Sequence, residues 1–173
     1  MKTIVIYNSQ TGFTKRYAQW IAEETKAQCV ELKEAKKMDL SGFDTIVYGG
    51  WAMAGSVTKV KWLIKNKAKW QGKKLVAFCV GASPVENPEI DEFLKKTSAQ
   101  EDFKGIKLFY LPGGLAYEKM SGASKTMMKM FVKMLNSKKD KTEADLMQIK
   151  MLSSSYDISD KKYIEPVVEY LNS

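Results

Sequence analysis

Ser9-Gln10-Thr11-Gly12-Phe13-Thr14 is the stretch of sequence that decides the fold. It follows a β-branched, apolar run at 2–7 that is typical of a buried strand, and it precedes a segment with helical apolar spacing at 14–25. Three hydroxyls and the backbone N–H groups of a helix N-terminus suit a phosphate, and Gly12 allows close approach. The same residues also suit a capped helix start, so the loop alone leaves both interpretations open.

Strands and helices alternate along the rest of the chain. The predicted strands are 28–32, 44–49, 73–80 and 106–111, with a further short strand at 145–151. The predicted helices are 57–68, 88–97, 120–136 and 159–171, with one helical turn within 33–43. This alternation predicts an α/β fold, a doubly wound parallel sheet covered by helices on both faces. No linker or repeat interrupts it, so we expect a single domain over 1–173, with an extended segment at 113–158 before the C-terminal helix.

Three loops rich in small and polar residues, at 8–14, 49–56 and 81–87, leave the carboxyl ends of predicted strands. Ligands of open α/β sheets bind at these ends, where the strand order reverses. The first loop contains neither Gly-Lys-Ser/Thr nor Gly-x-Gly-x-x-Gly. A P-loop and a dinucleotide site are therefore not expected.

The composition excludes several mechanisms. The chain has no histidine, so Ser-His-Asp and Cys-His catalysis are excluded and a bound cofactor is the expected source of chemistry. Cys29 and Cys79 lie in apolar, strand-like runs and are predicted to be buried thiols rather than metal ligands. The N-terminus enters a strand directly, without the features of a signal peptide, so we expect a cytoplasmic protein.

Methionines recur in the predicted helix at 120–136. Met127, Met130, Phe131 and Met134 form one stripe, and we predict that it packs in the core. Methionine also recurs at adaptable binding surfaces, which is the alternative interpretation.

The loop Ser-Gln-Thr-Gly-Phe-Thr resembles the flavodoxin pattern Ser/Thr-x-Thr-Gly-x-Thr, which wraps the phosphate of FMN directly after the first strand. The resemblance covers nearly the whole chain and implies the strand order 2-1-3-4-5. It extends to the subgroup that includes menaquinone-dependent protoporphyrinogen oxidase, through the small-residue loop after strand three, Gly-Gly-Leu-Ala-Tyr at 113–117 and the Lys/Met-rich helix that follows.

The resemblance implies a set of residues that bind FMN. The phosphate would be held by Ser9, Gln10, Thr11, Gly12, Phe13 and Thr14. The isoalloxazine would be flanked by Gly50, Trp51, Ala52 and Met53. Its other edge would contact Gly81, Ala82 and Ser83. Trp51 is the candidate stacking partner, or else a packing residue, and Ala54-Gly55 would allow a peptide to reorient when the flavin is reduced.

The chain departs from electron-shuttle flavodoxins in charge, because its net charge is +8 whereas they are acidic. Two segments, 57–74 and 119–141, each contain seven lysines. A solvated face is the simplest interpretation. A docking surface for an acidic redox partner, an anionic substrate or the inner face of a membrane is the alternative. Arg16 is the only arginine and no recognition motif is present, so no specific nucleic-acid partner is expected.

A second departure is the loop after strand four, which lacks an aromatic residue and would leave the flavin more open. These observations predict an FMN-dependent oxidoreductase that exchanges electrons with a redox partner or small molecule, such as a quinone or a porphyrinogen. The alternatives are a non-catalytic electron carrier and a flavin-free module that binds an anion.

Overall fold

The computed structural model describes residues 1–173 and has the predicted α/β architecture. The strands are β1 (Thr3–Tyr7), β2 (Gln28–Glu31), β3 (Thr45–Met53), β4 (Ser56–Val57), β5 (Lys74–Gly81), β6 (Ile106–Pro112), β7 (Gly114–Leu115) and β8 (Tyr156–Asp157). The helices are α1 (Phe13–Thr25), α2 (Leu32–Ala35), α3 (Lys61–Asn66), α4 (Pro88–Ser98), α5 (Gly122–Asn136), α6 (Glu143–Leu152) and α7 (Glu165–Asn172).

The core of the sheet is parallel, in the order β2-β1-β3-β5-β6. If β4 is left out of the count, this is the predicted order 2-1-3-4-5. Ile4, Ile46, Leu75 and Ile106 are paired in register across four strands and lie on one face of the sheet. Because successive side chains of a strand alternate between faces, Val5 and its neighbours face the opposite side.

Helices bury both faces of this sheet. The face that carries Ile4 packs against α2, α3 and α4, with Leu63 of α3 fully buried. The opposite face packs against α1 and α7, through Tyr17 and Val167 among others. This double coverage is the reason that the strands are apolar at nearly every position.

The structure corrects two predictions made around the second loop. The segment 49–56 is not a loop, because β3 continues to Met53 and turns at Ala54-Gly55 into the antiparallel β4. The predicted helix at 57–68 begins later, as α3 at Lys61, and a 3₁₀ turn at Lys67–Trp70 follows it.

The segment 113–158 forms a separate unit beside the sheet. It comprises β7, the contacting helices α5 and α6, which we call the α5–α6 hairpin, and β8, which pairs with β7. The prediction of a strand at 145–151 is wrong, because this stretch lies in α6. The first turn of α6 is capped by Thr142 and Asp145. A small cluster of Leu115, Leu135 and Leu152 joins the helices to β7.

Two predictions about burial need correction. The stripe of Met127, Met130, Phe131 and Met134 is exposed rather than in the core. Cys79 is buried as predicted, whereas Cys29 on the edge strand β2 is only half-buried. None of the helices is both long enough and apolar enough to span a membrane.

Candidate functional site

A cavity of about 440 Å³ lies at the carboxyl ends of β1, β3 and β5. Its inner wall consists of Gln10, Thr11, Phe13, Thr14, Trp51, Ala52, Met53, Ala54, Gly55, Val80, Gly81 and Ala82. Its outer wall consists of Gly114, Leu115, Met120, Ser124, Met127, Met128 and Phe131. The cavity therefore lies between the sheet and the α5–α6 hairpin.

Nine of the thirteen predicted site residues line this cavity. They are Gln10, Thr11, Phe13, Thr14, Trp51, Ala52, Met53, Gly81 and Ala82. The other four, Ser9, Gly12, Gly50 and Ser83, do not line it. These four residues instead take part in the contacts that fix the backbone of the three loops.

The first loop presents unpaired backbone donors at the start of α1. Gly12 occupies the N-cap with a φ of 103°, and no side chain caps the helix. The Gly12 N–H donates to Ser9 Oγ at 3.2 Å, whereas the N–H groups of Thr11, Phe13 and Thr14 donate to no group of the protein. Free amides at a helix N-terminus carry partial positive charge and suit an anion.

Asn8 anchors the start of this loop to the neighbouring strand. Its N–H donates to the Gly49 carbonyl at 2.8 Å. Its side-chain amide nitrogen is buried and has no hydrogen-bond partner. A buried polar group without a partner is uncommon in folded proteins, so this amide is a further free donor beside the first loop.

The second loop is a tight hairpin rather than an open turn. Ala54 and Gly55 both adopt positive φ, 48° and 72°, as a two-residue type I′ turn requires. The Trp51 N–H donates to Thr58 Oγ1 at 3.0 Å, and the Thr58 N–H donates to the Trp51 carbonyl at 2.9 Å. Gly50 lies against this segment, where a Cβ would approach the Thr58 carbonyl to 2.7 Å.

The third loop is held by two tyrosines. The Tyr110 hydroxyl accepts from the Ser83 N–H at 3.0 Å and donates to the Ser83 carbonyl at 2.7 Å. The Tyr156 hydroxyl donates to the Ala82 carbonyl at 2.6 Å. Burial raises the pKa of Tyr156 to about 12 and raises that of Tyr110, so both phenols remain protonated donors near neutral pH.

The outer wall is the part of the site that sequence reasoning missed. Met120, Ser124, Met127, Met128 and Phe131 reach the cavity from α5 and the turn before it. The available signal was the run of methionines, which are frequent at adaptable binding surfaces. A stripe with helical spacing does not reveal whether it faces the core or a cavity.

None of the residues that line the cavity carries a titratable side chain. The cavity therefore offers hydroxyls, backbone amides and apolar surface, but no side chain for acid–base catalysis near neutral pH. Electron transfer through a bound cofactor needs no such group from the protein.

The sequence profile of the flavodoxin domain family matches residues 4–143. Similar solved structures include a flavodoxin from the Archaea (15% identity, all of both chains, TM-score 0.46) and oxidised flavodoxin 2 from Bacillus cereus (18%, 72% of this chain and 92% of that chain, 0.46). A flavoprotein in complex with FMN from Lactobacillus acidophilus is 17% identical over 64% of this chain and 91% of its own, with a TM-score of 0.47. The comparison with curated proteins found no match.

The residues of this chain fit the cofactor of that family. Free N–H groups at the start of α1 and the hydroxyls of Thr11 and Thr14 supply donors for a phosphate. Trp51 and Phe131 supply aromatic surface in an otherwise apolar cavity, as a planar ring requires. The donor set and the lining thus correspond to the two ends of FMN.

Proposed function

We propose that this chain, which belongs to the flavodoxin domain family and binds FMN, is an oxidoreductase. Its partner would be a small molecule that reaches the flavin within the cavity. The observation that carries this proposal is the outer wall, where α5 contributes Met127, Met128 and Phe131 opposite the loops that would hold FMN. A wall of this kind would cover an apolar molecule beside the flavin, whereas a shuttle needs only an exposed flavin edge.

The chain's own residues bind and orient rather than react. Thr11, Thr14 and the free amides of the first loop would hold the phosphate, and Trp51 would flank the ring. Tyr110 and Tyr156 hold the backbone of the third loop in one orientation. Bound FMN supplies the redox centre, which accepts and donates one or two electrons.

The chemistry of the cavity favours a quinone as the partner. A quinone is planar and uncharged, and it would contact methionine and aromatic side chains without leaving a charge unpaired. A porphyrinogen carries carboxylates, which would require cations, and no charged residue lines the cavity. Of the two partners implied by the resemblance to the menaquinone-dependent protoporphyrinogen oxidase subgroup, the lining of the cavity therefore favours the quinone over the porphyrinogen.

A carrier that only passes electrons to another protein is the second candidate function. The observation that favours it is the basic charge, since seven lysines at 57–74 follow the second loop and would attract an acidic redox protein. Such a carrier would reduce a protein acceptor and would show no preference among small organic acceptors.

Anaerobic reoxidation of the photoreduced, FMN-loaded protein separates these functions. We expect rapid reoxidation by menadione, and we expect Met127→Lys to slow it about tenfold, because the new charge lies where the apolar partner must enter. Met130→Lys is the matched control, since Met130 lies on the same helix but does not line the cavity. Stopped-flow absorbance near ~450 nm, the usual flavin band, measures both rates.

Equal rates in the two variants would contradict the proposed position of the partner. Fast reoxidation by cytochrome b5, an acidic redox protein, with no response to menadione would favour the carrier. A colourless protein that takes up no FMN would favour the alternative of a flavin-free module that binds an anion.

A further inference from the structure

One side of α5 carries an exposed apolar stripe that extends from the rim of the cavity to the surrounding surface. The exposed fractions are 46% for Met127, 66% for Met130, 39% for Phe131 and 57% for Met134. Their spacing of three and four residues places them on one side of the helix. The other side, with Met128, Val132 and Leu135, packs against the small cluster at β7. The helix is therefore already anchored to the protein, and the exposed stripe is not needed for packing.

A row of unpaired lysines lies on the polar side of the same helix. Lys125, Lys129 and Lys133 repeat every four residues along α5, and the helix contains no acidic residue. Lys129 and Lys133 are exposed and form no ion pair within the protein. An apolar stripe on one side and lysines on the polar side form the pattern of helices that lie in the interface of a lipid bilayer.

We infer that α5 docks on the surface of an anionic lipid bilayer, with the methionine stripe at the acyl boundary and the lysines at the lipid phosphates. A second copy of the chain would bring two rows of lysines together, so charge opposes self-association through this face. An acidic protein would satisfy the lysines alone, whereas a bilayer accommodates the separate, flexible methionine side chains as well. The lysine stems can extend along the apolar surface while their ammonium groups reach the headgroups.

The neighbouring helix α6 also carries exposed apolar side chains. Leu146 and Met147 of α6 are both more than half exposed. Met127 and Phe131 belong both to the stripe and to the cavity wall, so the docking surface is continuous with the rim of the cavity. The inference does not depend on which electron acceptor enters the cavity.

Co-sedimentation with vesicles tests this inference. We expect the FMN-loaded protein to sediment with vesicles that contain phosphatidylglycerol in phosphatidylcholine, and not with phosphatidylcholine alone. The double variant Lys129→Glu/Lys133→Glu should weaken binding at least about tenfold, because each lysine near an anionic surface contributes separately. Lys61→Glu/Lys65→Glu on α3 is the matched control, since it makes the same change of charge at the same spacing, also at exposed positions without ion pairs.

A second variant separates lipid insertion from simple charge attraction. Met130→Ser/Met134→Ser keeps every charge and leaves the cavity intact, and it should weaken vesicle binding about tenfold. Circular dichroism confirms that each variant is folded. The inference is overturned if wild-type protein fails to sediment with the anionic vesicles, or if the α3 control loses as much binding as the α5 variant. An unchanged affinity after removal of both methionines would also overturn it and would favour an acidic protein as the occupant.

Discussion

The cavity has one wall on the parallel sheet and another on the α5–α6 hairpin, and the two are held in place by different interactions. Outside the free amides of the first loop, the sheet wall is held by backbone hydrogen bonds between strand ends, as where Gly113 N–H donates to the Gly81 carbonyl at 2.7 Å. The hairpin wall is joined to the rest through the small cluster of Leu115, Leu135 and Leu152 and through a few polar contacts. One of these is the hydrogen bond from Gln10 Nε2 to Ser121 Oγ at 3.4 Å.

This difference suggests that the two walls of the cavity have different roles. Precise hydrogen-bond geometry is needed where a phosphate is held, and the proposed phosphate site lies on the sheet wall. A wall with few buried contacts opens at lower free energy than the core, and binding regions are often drawn from such parts of a protein. We therefore expect the sheet wall to determine cofactor affinity and the hairpin wall to regulate access.

The largest expected effect comes from the first loop of the sheet wall. Thr11→Ala/Thr14→Ala removes two hydroxyl donors to a charged phosphate, and we expect FMN affinity to fall about a hundredfold or more. Fluorescence titration of the apoprotein with FMN measures this loss. Thr25→Ala is the control, because it removes a hydroxyl from the other end of α1 that donates to the Ile21 carbonyl. Comparable losses in both proteins would contradict the role assigned to the loop.

The next effect concerns the hairpin wall. Leu135→Ala should lower the free energy of local opening of α5 and α6 by about 2 kcal/mol, because Leu135 is a buried member of a small cluster. Hydrogen exchange should show faster exchange in both helices and unchanged protection in β1 and β3. FMN affinity should change less than in the threonine variant.

Leu63→Ala provides the comparison on the other side of the molecule. Leu63 is fully buried against the sheet, so its truncation should lower the stability of the whole sheet and its helices. If Leu135→Ala destabilised β1 as much as α5, the two walls would form one cooperative unit and the proposed division would be wrong.

The sheet was largely predictable from the sequence, for a physical reason. Its strands are buried on both faces, so 2–7 and 73–80 are continuous apolar runs, and each is followed by a small-residue loop. The order of the strands came from the resemblance of the first loop to flavodoxins rather than from periodicity. The end of β3 was missed because Gly49-Gly50 resembles a turn, although Gly49 is needed for close packing: a Cβ there would lie 2.0 Å from the Phe78 ring.

The hairpin was less predictable because its sequence is compatible with two orientations of α5 and with either a strand or a helix at 145–151. Two apolar stripes run along α5, one at residues 127, 130, 131 and 134 and the other at 128, 132 and 135, and only one of them can pack against the cluster at β7. In α6, the polar and apolar residues of 145–151 are compatible with a short strand as well as a helix. The capping residues Thr142 and Asp145 favour the helix, since each side chain pairs with the backbone of the other.

The smallest expected effect is a pH dependence confined to this hairpin. A hydrogen bond from Lys138, followed by those from Thr142, lowers the pKa of Asp145 to about 2. Because the pKa in the folded state is below the usual value near 3.8, the carboxylate stabilises the hairpin at neutral pH. That stabilisation should be lost as the pH falls from about 4 to about 2.

Thermal unfolding followed by circular dichroism across this range should show a steeper loss of stability in the wild type than in Asp145→Asn. Asp140→Asn removes an exposed carboxylate of the same connection that makes no side-chain hydrogen bond or ion pair, and it should retain the wild-type dependence. A pH profile unchanged by Asp145→Asn would mean that carboxylates elsewhere control the acid transition and that the hairpin does not respond on its own.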